Sequence, residues 1–408
     1  MLTALASVRT RAWYAWLTFA LPPAAVLGQA LTPGTAVWKG QGLGVLVPLA
    51  VTLIAVVLWW GFSRSRGATP LETAFFGLAL ATWLTVVIRI QADGSLFNLS
   101  AFAAPVILLM LWFKPPSLRD LDRAILVLAY GLAFIAVISI PLGFAGLMPN
   151  GFEAADSALC RTSILCDLTG GLNRWAGPFG SVNYAAPVGG LLVVIGVTQS
   201  RWNRIALIVI GMAILLLSQG RSAVFGVLAA LVVIVLCGQR VSDSVHRRAI
   251  RVFTVLAGVI AVVAYIVIVD PTFNGRSAIW TDFVHLWSTS PLTGVGDSGV
   301  RAYVENRVGM VTFTHAHSVL LDTLVRWGVL PALLALSVFI VAFAAAGRAV
   351  RTLGSAPLAV VTFVLAAGLT ETIHDWAYWS IYLAALAWAV LTYGAAATMS
   401  VRRPPSLS

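Results

Sequence analysis

The feature that most constrains this chain is a succession of long apolar runs separated by short polar connections. They fall near Trp13–Leu31, Leu43–Phe62, Leu71–Ile90, Phe97–Phe113, Asp122–Phe144, Val182–Thr198, Trp202–Ser218, Arg221–Gly238, Ala249–Val269, Ser318–Ala346, Ala356–Thr372 and Trp376–Thr398. Most approach the roughly 20 residues that an α-helix needs to cross a hydrocarbon core. Lipid offers no water to satisfy backbone N–H and C=O groups, so a spanning segment is either a helix or a strand of a closed barrel. Barrel strands alternate in polarity, and these runs do not. Composition agrees: 60% of residues are hydrophobic and 10% charged, where a soluble domain carries about a quarter charged. The expectation is an all-α integral membrane protein of about 12 transmembrane helices, residues 1–408 forming a single polytopic domain. The first run carries Pro22-Pro23 and no small-residue cleavage site follows it, so it reads as a span rather than a cleavable signal peptide. No internal repeat is visible, which gives no support to an inverted-repeat transporter.

Charge orients the bundle. With the N-terminus inside, the inner connections hold most of the 26 lysines and arginines, from Arg9 and Arg11 through Arg247, Arg248 and Arg251 to Arg402 and Arg403. That is the positive-inside pattern, and it places both termini in the cytoplasm. The net charge of +11 is then a topology signal and a contact for anionic lipid, not a nucleic-acid footprint. Two long outer loops remain, 145–181 and, between helices 9 and 10, 270–317. Cys160 and Cys166 lie in the first, where an oxidising compartment permits a disulfide or leaves two tolerated thiols; Cys237 sits in an apolar run and reads as packing.

The second outer loop is the polar island of the chain. It holds His285, His315 and His317, three of five histidines, together with Arg276, Arg301 and Arg307. Arg276 opens a short amphipathic helix in the reading of NGRSAIW, and a guanidinium presents a planar fork of donors matched to phosphate oxygens. Arg221 follows Ser218-Gln219-Gly220 at the outer end of a span. It is either a snorkelling interfacial arginine or an anion-binding one facing a polar cavity. His317 stands where loop becomes helix, with its imidazole expected to face outer water. There it would serve as a proton acceptor near neutral pH or merely hydrogen-bond at the helix start. His315 reads as a more exposed neighbour. His285, nine residues after Arg276, is a weaker candidate for the same face. Asp322 and Arg326, spaced i, i+4, read as an ion pair within one helix. Glu371, His374 and Asp375 cluster at the last outer turn, as part of an acceptor site or as turn caps. No HExxH or close Cys/His ligand group appears, so no metal and no cofactor is expected.

Taken in order, these residues resemble a known family. His317-Ser318, nine residues and then Gly328 match the His-[Asn/Ser/Gln]-x9-Gly signature of the O-antigen ligase/polymerase superfamily of membrane glycosyltransferases. Ser218-Gln219-Gly220-Arg221-Ser222 resembles its Ser-rich segment with a fixed arginine. Gly275 through Trp280 resembles its arginine-x3-apolar loop, Pro291 through Gly296 its Gly-rich loop, and Arg174 through Asn183 its entry to the middle span. The resemblance covers about Arg174 to Pro331. Three departures stand out: Gly220 replaces a common serine, Trp280 stands where leucine is usual in the ligases, and Pro331 suggests a kink in the helix after His317.

The resemblance implies a GT-C-like fold in the plasma (inner) membrane. It also implies metal-independent transfer of a glycan from an undecaprenyl-pyrophosphate carrier to a hydroxyl of a lipid, glycan or wall acceptor on the extracytoplasmic side. His317 would be the general base, and Arg221 and Arg276 would bind pyrophosphate, with Arg174 in a lesser role. His315, His285 and Glu371 remain possible contributors. Polysaccharide polymerase and ligase differ only in acceptor, and the rivals from other classes are a transporter or flippase for lipid-linked sugar and a non-catalytic membrane scaffold.

Overall fold

A computed structural model describes residues 13–30, 50–57, 59, 67–93, 99–148, 151–152, 174–237, 276–306, 315–373 and 375–401. The ninth run, most of the second, Cys160, Cys166, Arg307 and His374 lie outside the described residues. In chain order the α-helices are α1 (Trp13–Ala30), α2 (Pro70–Ala92), α3 (Ala103–Phe113), α4 (Leu118–Phe144), α5 (Val182–Val197), α6 (Arg201–Ser218), α7 (Arg221–Cys237), α8 (Arg276–Ser288), α9 (Gly296–Glu305), α10 (Val319–Trp327), α11 (Val329–Leu353), α12 (Ala356–Thr370) and α13 (Ile381–Val401). Among the described residues the only extended pairing is an isolated bridge between Phe152 and Trp175. Among the described residues, four helices are long and apolar enough to cross a membrane: Pro70–Ala92, Leu118–Phe144, Val329–Leu353 and Ile381–Met399. The protein is an all-helical integral membrane protein. Some of the twelve spans expected from the sequence lie outside the described residues.

The helix ends obey local chemistry. Thr69 and Glu72 form a capping box at α2, each side chain meeting the other's backbone N–H. Ser117 caps α4 and Ser181 caps α5. The outward faces of the long helices stay apolar, with Phe134 of α4 and Ile340 of α11 both exposed, as suits surfaces in contact with acyl chains.

The chain divides into two compact units. The first comprises Met1–Gly67, Asn98–Val227 and Trp379–Ala384. In it, α5 and α6 pack backbone to backbone. A Cβ on Gly189 would lie 2.8 Å from the Gly211 carbonyl, and one on Gly211 would lie 2.6 Å from the Gly189 carbonyl, so only small residues permit this approach. Wholly buried Trp175 donates its backbone N–H to the Leu217 carbonyl at 3.0 Å, fixing the start of the 174–183 segment against the end of α6.

The second unit comprises Ala68–Phe97, Leu228–Tyr378 and Ala385–Ser408. In it α11 packs on α2, α12 and α10, and α10 touches α8, α9 and α12. Beneath the polar residues lies a small apolar core of Ile279, Phe283, Val300, Ala316 and Val325.

Two boundaries differ from the sequence expectation. The run expected as one helix over Ser318–Ala346 is two helices, broken at Gly328 rather than kinked at Pro331. Gly328 has φ 89° and ψ −176°, a conformation that a Cβ forbids. Pro331 sits in the first turn of α11, where a missing N–H costs no hydrogen bond. The last span begins at Ile381 rather than Trp376. Asp375 Oδ1 accepts from Ala377 N at 2.9 Å and Ser380 Oγ from Leu383 N at 3.1 Å, so polar side chains hold a turn before the helix starts.

Candidate functional site

The His-Ser-x9-Gly signature is one helix with a device at each end. Ser318 caps α10, its Oγ accepting from Leu321 N. After the nine residues Val319–Trp327, Gly328 ends it. The Gly-rich loop locks that end. Val295 N donates to the Val325 carbonyl at 2.8 Å, and a Cβ on Gly328 would run into the Leu292 and Thr293 backbone. Arg89 of α2 reaches the Gly294 carbonyl at 3.4 Å. Asp93 at the end of α2 accepts from Ser298 N and Ser298 Oγ in the first turn of α9, a carboxylate where the helix dipole favours one.

His317 precedes the cap. It is only 5% exposed, so its ring is buried rather than facing outer water as the sequence reading expected. The reason is a partner from another helix end. His317 Nδ1 lies 2.8 Å from Oε1 of Glu371, a residue with no exposed surface at the end of α12. Glu371 in turn accepts from Arg276 Nη2 at 2.8 Å on Oε2. Thr372 N also donates to Oε1 at 3.3 Å, so the carboxylate takes two hydrogen bonds on Oε1 and a charge-assisted one on Oε2. Because a carboxylate only accepts, Nδ1 carries the proton and Nε2 is the basic nitrogen of the ring.

The backbone of His317 is itself unusual, with φ 49°. The left-handed region costs a non-glycine residue about 1–2 kcal/mol, and such strain gathers at functional sites. The peptides on either side of Ala316 are held in place. Asp322 Oδ1 accepts from Ala316 N at 3.0 Å, and Trp280 Nε1 donates to the Ala316 carbonyl at 3.0 Å.

His315 stacks edge-on against His317 with ring centroids 4.2 Å apart, and its Nδ1 is 4.0 Å from Glu371 Oε1. Burial, and then the adjacent His317, push its pKa below the ordinary imidazole value. His315, His317 and Glu371 each offer a donor atom within 4.8 Å of the others, a spacing that admits a metal ion. The sequence pattern did not reveal this group, because Glu371 lies 54 residues beyond His317. The 2.8 Å contact is already a satisfied hydrogen bond, and Arg276 occupies the other Glu371 oxygen; a cation there would face that guanidinium.

The other end of α10 holds a second ionic group. Arg326 Nε meets Asp322 Oδ2 at 2.9 Å, the expected i, i+4 pair, and Arg326 Nη1 also contacts Asp297 of α9. Burial alone would lower the guanidinium's pKa, but the two aspartates outweigh it and raise the pKa. Half-buried Asp375 is pushed up to about 6, chiefly by desolvation. Tyr378 is raised for the same reason.

His285 is exposed in the last turn of α8. Nine residues at 100° each turn half a circle, so it points away from the side carrying Arg276 rather than lining the same face. In the first unit, Arg174 Nε donates to the Ser218 carbonyl at 3.1 Å, and exposed Arg221 opens α7 after Gln219, whose φ of 54° ends α6. Gly220, the departure from serine, lies flat on Ala186, where a Cβ would collide.

Comparison with protein families gives one finding. Residues 188–336 match the model of the family described as O-antigen ligase. The match runs from α5 into α11 and includes Arg221, Arg276, His285, His315 and His317, while Arg174 and Glu371 lie outside it. A comparison with curated proteins gives no match.

Proposed function

Because the chain carries an O-antigen ligase segment over residues 188–336, making it a membrane protein of the O-antigen ligase/polymerase type, we propose that it transfers a glycan from an undecaprenyl-pyrophosphate carrier to an acceptor hydroxyl. The observation that carries this reading is the 2.8 Å pair between buried His317 and Glu371, with Arg276 on the same carboxylate. A sugar pyrophosphate already has a good leaving group. The protein must therefore activate a hydroxyl and offset charge on the departing phosphate. The acceptor oxygen attacks the anomeric carbon as its proton passes to His317 Nε2. The bond to the pyrophosphate oxygen breaks, undecaprenyl pyrophosphate leaves, and the configuration inverts. Glu371 fixes the tautomer and stabilises the imidazolium, the role a carboxylate plays behind a catalytic histidine.

Arg221 and Arg276 are the proposed pyrophosphate ligands, with Arg174 a lesser one. Arg276 spends one N–H on Glu371 and has four more to offer. The reaction requires no metal, so transfer persists in excess EDTA. The site faces the extracytoplasmic side of the plasma membrane, and both termini are cytoplasmic.

The test is a cell-free assay of the full chain with an undecaprenyl-pyrophosphate-linked oligosaccharide and lipid, glycan and wall acceptors. Undiminished product in His317→Ala would sink the general-base assignment. Weakened carrier binding in Arg221→Ala, with binding retained in His317→Ala, supports the division of roles. A product extended by repeat units identifies a polymerase. Movement of the carrier without a new glycosidic bond identifies a flippase instead.

A further inference from the structure

We infer that Trp280 and Asp322 are positioning residues that hold His317 in its left-handed backbone and so aim its imidazole. The inference rests on the general-base reading of His317. The backbone torsion φ of His317 is set by the orientation of the peptide joining it to Ala316. The carbonyl of that peptide accepts from Trp280 Nε1 at 3.0 Å. The preceding peptide donates its N–H to Asp322 Oδ1 at 3.0 Å. On the far side of His317, Ser318 starts α10, and its carbonyl accepts from Asp322 N at 2.8 Å.

Two side chains from different helices, α8 and α10, therefore grip Ala316 from both sides. Ala316 itself has no exposed surface. A left-handed residue without a glycine persists only when its surroundings over-determine it, and these bonds do so. The same peptide positions set the direction of both His317 and His315, whose rings lie 4.2 Å apart. Asp322 thus has two tasks on two oxygens: Oδ1 holds the catalytic peptide, and Oδ2 holds Arg326. Trp280 is half-buried on α8 and donates its indole N–H to the Ala316 carbonyl.

Substitutions separate positioning from stability. Trp280→Phe keeps an aromatic ring and removes the indole donor together with part of the ring's volume. Asp322→Asn keeps an acceptor for the Ala316 N–H and loses the charge facing Arg326, whereas Asp322→Ala loses both. In the full-length protein, assayed with the undecaprenyl-pyrophosphate-linked oligosaccharide, Trp280→Phe should lower kcat about tenfold, the equivalent of one good hydrogen bond, with the donor KM unchanged. Asp322→Ala should lower kcat by a similar factor or more. Asp322→Asn should recover most of that turnover although both Asp322 variants melt at lower temperature.

Parental kcat in Trp280→Phe, or Asp322→Asn as slow as Asp322→Ala, would overturn the inference, because turnover would then follow stability alone. If His317→Ala itself retains parental turnover, the general-base reading fails first, and the two bonds are packing.

Discussion

The two ends of α10 carry ionic clusters that look alike and differ in what they can do. At its start, one guanidinium, Arg276, meets one carboxylate, Glu371, and that carboxylate's second oxygen is given to an imidazole. At its end, one guanidinium, Arg326, is held between two carboxylates, Asp322 and Asp297. The first cluster balances its fixed charges and leaves a ring that can gain and lose a proton. The second spends its charge on bridging α9 to α10 and contains no such ring. Under the proposed function, similar ion pairs would serve proton transfer at one end and rigidity at the other.

The sharpest way to break the comparison is at its reactive end. His317→Ala should lower glycan transfer by about a thousandfold, within the 10²–10⁴ that a general base supplies, while thermal stability changes little. A variant that keeps transfer would reduce the first cluster to a second structural clamp. At the rigid end the effect should reverse in kind. Arg326→Ala leaves two aspartates facing each other in a partly buried site and should cost about 3 kcal/mol, the low end for breaking a buried pair. Denaturation in detergent, followed by tryptophan fluorescence, measures this. Turnover per folded molecule should fall far less than in His317→Ala.

Glu371→Gln tests the link within the first cluster. The amide nearly preserves shape but presents an N–H₂ where a carboxylate oxygen accepted. The expected loss is about thirtyfold in kcat, below that of His317→Ala because the base itself remains. A loss equal to that of His317→Ala would mean that the ring is wrongly oriented whenever the carboxylate is absent.

These contrasts were legible in the sequence only in part. Apolar runs are a local signal, and the described helices lie close to where hydropathy placed them. His317, Arg276 and the Asp322–Arg326 spacing were visible for the same reason, since each lies in a short motif or one helical turn. Glu371 was visible only as a member of a turn. Its partnership joins segments 54 and 95 residues apart, and no periodicity carries that distance. The grip on Ala316 was invisible because it runs from side chain to backbone, at a residue with no chemistry of its own. The break at Gly328 was masked by the proline three residues later, although the glycine in the signature was the sign of it.

The smallest expected effect concerns the edge of the rigid cluster. Desolvation holds Asp375 at about 6 against an ordinary 3.8. Below the ordinary value the carboxyl is protonated in folded and unfolded chains alike, and its preference for the folded state is fully present. Between the two values the folded chain binds more proton, so this contribution falls as pH rises and is lost above about 6. Asp375→Asn stays neutral throughout, and its oxygen can still accept from Ala377 N. The variant should therefore match the parent near pH 4 and exceed it at pH 7.5 by on the order of 1 kcal/mol, with transfer unchanged in kind. A stability difference that is flat in pH would place Asp375 in a solvated turn instead. The rigid end of α10 would then have no titrating neighbour, and the contrast between its two ends would be complete.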